Sequence, residues 1–146
     1  MHPTLLVVHS LVRWLVLAVA LYAVGRMARG LSTSGTWTEA DRKAGVFFTI
    51  AFDIQLLLGI LLFGISPVTR QGMADMAGAM KDPSVRFFIV EHPALMVIAV
   101  AVAHVASILA RRGPTDRVKF VRATVGFGIS LAMILAGIPW WRLRAA

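Results

Sequence analysis

The sequence contains no cysteine, so disulfides, zinc ribbons, iron–sulfur clusters and thiol nucleophiles are excluded whatever compartment the chain occupies. Charge is scarce as well. Of 146 residues 15% are charged and 58% apolar, and the mean hydropathy is +0.78. A soluble globular domain does not carry that balance, which excludes a water-soluble enzyme. The same wealth of apolar residues excludes disorder. Any cofactor must be held by His, Met or oxygen ligands, and no Cys-x-x-Cys-His segment is present to attach a haem covalently. The net charge of +8 is not a nucleic-acid footprint, because the basic residues flank long apolar runs and serve as topology signals.

What is present is four apolar stretches, 5–24, 45–65, 87–110 and 118–141, each close to the 20 or so residues that a helix needs to cross a bilayer core about 30 Å thick. The expected fold is all-α: one membrane domain, a four-transmembrane-helix bundle running up-down-up-down. Arg26, Arg29 and Gly30 close the first span, and Thr38 with Asp41 three residues on forms a capping box that opens the second. Gly113 and Pro114 break the chain before Thr115, an N-cap with Asp116 in the first turn. The first span is expected to stay in the mature chain rather than act as a cleaved signal, since no basic residue precedes it and Arg26 and Arg29 follow. The loops after the first and third spans carry nine Lys and Arg, against five on the other side, including Arg142 and Arg144. The positive-inside rule then places both termini outside, in the periplasm of a bacterial inner membrane.

Trp37, Trp140 and Trp141 fall where an interfacial aromatic belt is expected, and Trp14 falls inside the first span. Gly126, Gly128, Ala132, Ala136 and Gly137 offer the fourth span small residues for close helix contact. In the loop 66–84, Met73, Met76, Ala77 and Met80 recur at helical spacing, which predicts one short helix on the membrane surface. The competing reading of those methionines is a set of thioether ligands for Cu(I).

Ionisable groups inside the spans are the places to look for function, because each costs about 2.5–3.5 kcal/mol or more near the bilayer centre. They are His9 and Arg13, Asp53, and Glu91, His92 and His104, with Gln55 as an uncharged companion. Spans one and three run in parallel. His9 is four residues into the first and His92 five into the third, so both imidazoles fall at similar depth near the outer face. Arg13 shares the helix face of His9, and its long stem brings it toward Glu91 or the His pair. Asp53, Gln55 and His104 form a second polar layer in the inner half. His92 and His104 differ by about 18 Å of rise and about 120° of rotation, so they cannot serve one site.

Two imidazoles facing one another between apolar helices suit a b-type haem, whose iron takes one axial ligand on each face. His9 and His92 are the candidate iron ligands, with Arg13 as partner of a propionate or of Glu91. Pro93 frees a carbonyl and bends or starts the helix at the ligand. The competing reading is structural: hydrogen-bonded histidines, an Arg13–Glu91 pair and a protonated Asp53.

Around these residues the chain resembles a small bacterial four-helix integral-membrane family labelled cytochrome b or b-like. The matching pieces are His9, Ser10 and Arg13; Gln55, Leu56, Leu57 and Gly59; Arg86, Phe87, Phe88, Glu91 and His92; and Ile138, Pro139 and Trp140. The resemblance runs over nearly the whole chain and implies a membrane electron-transfer protein with haem b on His9 and His92. It also implies a histidine at position 53, where this chain has Asp53, which argues against a second, inner haem. The expected partners are a quinol or another membrane redox protein. The alternative is a cofactor-free accessory or scaffold subunit of a larger membrane complex. A third reading, proton movement through Asp53, Glu91 and the histidines, ranks last because the two layers face different neighbours.

Overall fold

A computed structural model describes residues 2–143. Arg144, counted above as a topology signal, lies outside the described residues, as does the side chain of Arg142. Four long helices carry the fold: α1 (His2–Ser32), α2 (Glu39–Ile65), α6 (His92–Arg111) and α7 (Asp116–Ala136). Between α2 and α6 the chain makes three short helices, α3 (Pro67–Ala74), α4 (Met76–Lys81) and α5 (Pro83–Arg86), and a π-helical turn, Phe87–Glu91, that runs straight into α6. A last turn, α8 (Trp140–Leu143), follows α7. The four long helices, α6 counted from Pro83, are long and apolar enough to span a bilayer, and this is an integral membrane protein of all-α architecture.

The bundle is a ring in chain order. α1 packs on α2 and α7, and α6 packs on the same two helices, so α1 and α6 face each other across a diagonal. Hydrophobic association is weak between helices in lipid, and small residues that let backbones approach take its place. Ala20 and Ala23 of α1, Ala99, Ala103, Ala106 and Ala110 of α6 and Ala123 of α7 are all buried. Gly126 lies so close to Ala106 that a Cβ there would collide with it, and Gly137 meets Met96 in the same way. The other small residues of the fourth span do not serve this purpose: Ala132 and Ala136 are exposed, and Gly128 faces open space. The helix turns them toward lipid, away from the α6 seam.

Leu131, Ile134 and Ile138 are buried in one half of the bundle and the buried phenylalanines in the other. Phe48 and Phe52 stack at 5.9 Å, Phe127 meets Phe48 edge-on at 5.5 Å, and Phe120 packs on Trp37 at 5.0 Å. This half carries the ends Ser32, Glu39, Arg111 and Asp116, and is called the basic end below. Toward the other end the packing thins. α1 has no fully buried residue before Val16, α2 none after Gln55 and α6 none before Ala99.

The caps form at the places that their side chains dictate. Thr38 and Asp41 make the reciprocal capping box of α2, with Thr38 N donating to Asp41 Oδ2 at 2.7 Å. Asp41 also reaches Arg26 of α1 at 2.8 Å with its side chain only 6% exposed. Thr115 caps α7. The single surface helix expected over 66–84 is instead three. Asp75 and Asp82 turn their carboxylates back onto the amides of Gly78 and of Ser84 and Val85, ending one helix and opening the next. Pro67 and Pro83 occupy first-turn positions, where their missing N–H is no loss. The break at Asp75 leaves Met73 on α3 and Met76 and Met80 on α4. The common helical face on which the thioether reading rested is therefore absent.

Removing the Asp41 carboxylate opens the capping box and strands Arg26 in one step. Asp41→Ala is expected to cost about 3 kcal/mol and to lower the thermal unfolding midpoint in detergent. Glu39→Ala, which removes only the exposed pair with Arg42, should leave the midpoint in place.

Candidate functional site

In the thinly packed end of the bundle, His9 of α1 and His92 of α6 face each other across the diagonal. Their ring centroids are 6.4 Å apart and their planes nearly perpendicular, at 79°. Equal depth, expected from counting along two parallel spans, is what the structure gives.

His92 is held from two directions. Pro93 has no N–H for the carbonyl four residues back, and the chain answers with the π turn, in which His92 N donates to Phe87 O, five residues back. The imidazole is fixed by the far end of the bundle loop. α7 stops at Ala136, and its terminal carbonyls need donors from elsewhere. The Trp140 indole donates to Leu135 O at 2.8 Å, and His92 Nδ1 donates to Gly137 O at 2.7 Å. An N–H on Nδ1 leaves the Nε2 lone pair unused. Phe87 flanks the ring at 5.7 Å and is itself backed by Trp141 at 4.7 Å.

His9 is held by α2. The Gln55 amide donates to the His9 carbonyl at 3.0 Å and sits 3.4 Å from His9 Nε2. The second contact is long for a hydrogen bond and is readily given up. One turn on, Gly59 lies under the ring, where a Cβ would come within 3.3 Å of Cε1. Arg13 lies one turn along α1, with its guanidinium carbon 5.0 Å from the centre of the Trp14 ring. Three buried polar atoms here have no hydrogen-bond partner among the described residues: His9 Nδ1, Arg13 Nε and Gln55 Oε1.

The remaining candidates are placed differently. Gln55, assigned from the sequence to the inner layer beside Asp53, belongs to the His9 site; two residues along a helix are about 200° apart, and Asp53 points the other way. Glu91 does not join Arg13. It is exposed and pairs with Arg86 at 2.6 Å, because the π turn carries it to the outside of the bundle. Asp53 and His104 do meet, with Oδ1 2.8 Å from Nε2, on the α2–α6 face, and both side chains stay open, at 42% and 45%. Two contributors were not found from sequence. Gly59 had been read only as part of a motif, and the Gly137 carbonyl has no side chain to announce it. The Ile138-Pro139-Trp140 stop was the available signal that a helix-end carbonyl would be free there.

Among the described residues no group of three or more His, Asp and Glu side chains converges on a point. An ion that needs four protein ligands is not accommodated. Two imidazoles suffice for a group that brings its own equatorial donors. The two rings stand 6.4 Å apart between centroids. Facing rings at that spacing, the unused Nε2 of His92, the stranded polar atoms and the glycine beneath His9 fit such a group. Comparison with protein-family models, with curated proteins and with solved structures gave no match.

The Asp53–His104 contact gives a direct test of the second layer. In a double-mutant cycle with Asp53→Asn and His104→Gln, the coupling energy in detergent unfolding is expected near the roughly 0.6 kcal/mol typical of polar contacts between membrane helices. A value of zero would mean that the two side chains do not interact in the folded protein.

Proposed function

We propose that this chain is a membrane electron-transfer protein of the b-type cytochrome kind, in which His9 of α1 and His92 of α6 would hold the iron of one haem. The observation that carries the reading is the pair of imidazoles that α1 and α6 bring to one place across the bundle, 6.4 Å apart between ring centroids. The resemblance carried by His9, Arg13, Gln55, Gly59 and His92 supports it. When bound, a haem supplies one-electron transfer, its iron alternating between ferric and ferrous states.

The chain's own residues supply the setting. The Gly137 carbonyl fixes the tautomer of His92 and the direction of its lone pair, and it raises the basicity of the ring. Gln55 holds the turn of α1 that carries His9, while Gly59 keeps α2 clear of the imidazole. Arg13 contributes a permanent positive charge in a medium of low dielectric, where it pairs with a cofactor carboxylate or favours the reduced state. Phe87 and Trp141 keep water from the His92 side. The electron donor implied is a quinol or another membrane redox protein, in a bacterial inner membrane with both termini in the periplasm.

One observation favours a second reading, a cofactor-free accessory subunit. The Asp53–His104 pair is open on a lipid-facing surface, where a polar group ordinarily meets another helix. An absorption spectrum of the full chain, purified in mild detergent from cells supplied with a haem precursor, separates the two. The cytochrome reading expects a Soret band and a b-type α-band on reduction. His9→Ala and His92→Ala should each abolish both bands, and His104→Ala should keep them. Colourless protein that co-purifies with a stoichiometric partner would replace this reading with the second.

A further inference from the structure

On the face next to the one that carries Asp53 and His104, α6 and α7 leave a lipid-facing groove of about 590 Å³. Its floor is the contact of Gly126 with Ala106, where the two backbones come close because neither residue has bulk. Its walls are Val97, Ala101, Val105 and Leu109 of α6 and Val121 and Val125 of α7. From Val97 to Leu109 the groove runs about 18 Å along the helix, comparable with one leaflet's share, about 15 Å, of the hydrocarbon core.

The groove has a charged end. Arg122 closes it at the basic end, with one guanidinium N–H donating to Leu109 O at 3.0 Å, a terminal carbonyl of α6. The fork geometry of Arg leaves further donors for an anion. Among the described residues Arg122 has no acidic partner, and neither do Arg111, Arg112 and Arg117 around the α6–α7 turn; the one local carboxylate, Asp116, pairs with Lys119 at 3.1 Å. An apolar trough one leaflet deep therefore ends at unneutralised guanidinium groups. Basic pockets between membrane helices take anionic lipid headgroups.

We infer that the α6–α7 groove is a binding site for an anionic phospholipid, one acyl chain lying over Gly126 and the phosphate resting on Arg122 with Arg112 beside it. The lipid would brace the α6–α7 seam at the basic end, independently of any cofactor at the other end.

Native mass spectrometry of the full chain, presented with phosphatidylglycerol or phosphatidylcholine of identical acyl chains, tests this. The unmodified chain should retain the anionic lipid at least about fivefold better, the effect of one surface basic residue. Arg122→Gln and Arg112→Gln should each reduce that preference. Ala101→Phe fills the trough from an exposed position, so it leaves the helix seam intact and should cut retention of both lipids. Equal retention of the two lipids by the unmodified chain overturns the inference, as does a preference that survives Arg122→Gln. So does a detergent-solubilised dimer that Ala101→Phe converts to monomer, since the groove would then belong to a second copy of the chain.

Discussion

The contact between His92 Nδ1 and the Gly137 carbonyl, at 2.7 Å, ties the beginning of α6 to the end of α7. Much of the arrangement at this end of the bundle follows from it. Inside a membrane a helix-end carbonyl has no water to accept from, so α7 can stop within the site only where a side chain supplies the donor. The imidazole supplies it, and in doing so has its orientation fixed with Nδ1 committed to the carbonyl. The π turn is the other half of the same arrangement. Pro93 removes the N–H that an α-helical ladder would use, and the wider turn lets the chain pass the site without breaking the span.

Long-range features of the fold were plain in the sequence because they rest on composition. Four apolar runs give four spanning helices, and the caps at Thr38 and Thr115 are written in residues whose side chains compete for the first free amides. The pairing of His9 with His92 followed from counting along parallel helices. Gln55 does not join Asp53 because two residues along a helix point about 200° apart, which turns Gln55 toward His9 and Asp53 toward His104. Glu91 was misplaced because an α-helical register was assumed through a π turn. The Met73, Met76 and Met80 spacing misled for a related reason: periodicity assumes one continuous helix, and Asp75 interrupts it.

Membrane helices ordinarily bury a polar side chain beside a partner or turn it into a cavity. Asp53 and His104 satisfy the first condition, and the contact between them bridges α2 and α6 about midway along the bundle. His9, Arg13 and Gln55 do not fully satisfy it, since each keeps a buried nitrogen or oxygen without a partner. A stranded polar group costs about 1–3 kcal/mol, and three of them lie on the residues around His9. The two layers therefore differ in kind. Asp53 and His104 pair with each other, and the His9–His92 layer keeps buried polar atoms without a partner among the described residues.

That difference matches how the two ends of the bundle are packed. At the basic end, alanine and glycine seams bring the backbones together, Phe48, Phe52, Phe120 and Phe127 fill the centre, and Arg26–Asp41 locks α1 to α2. A tight end fixes the angles at which the helices leave it. Toward the site, full burial gives out on α1, α2 and α6 at Val16, Gln55 and Ala99, and the His92–Gly137 and Gln55–His9 contacts join buried Leu131, Ile134 and Ile138 in holding the helices in relation to one another. α1 and α6, which face each other across the ring rather than packing together, can then carry their imidazoles to a fixed separation without collapsing onto each other. Rigidity is supplied from the far half of the molecule, and the separation of the rings follows from where α1 and α6 stand across the ring of helices.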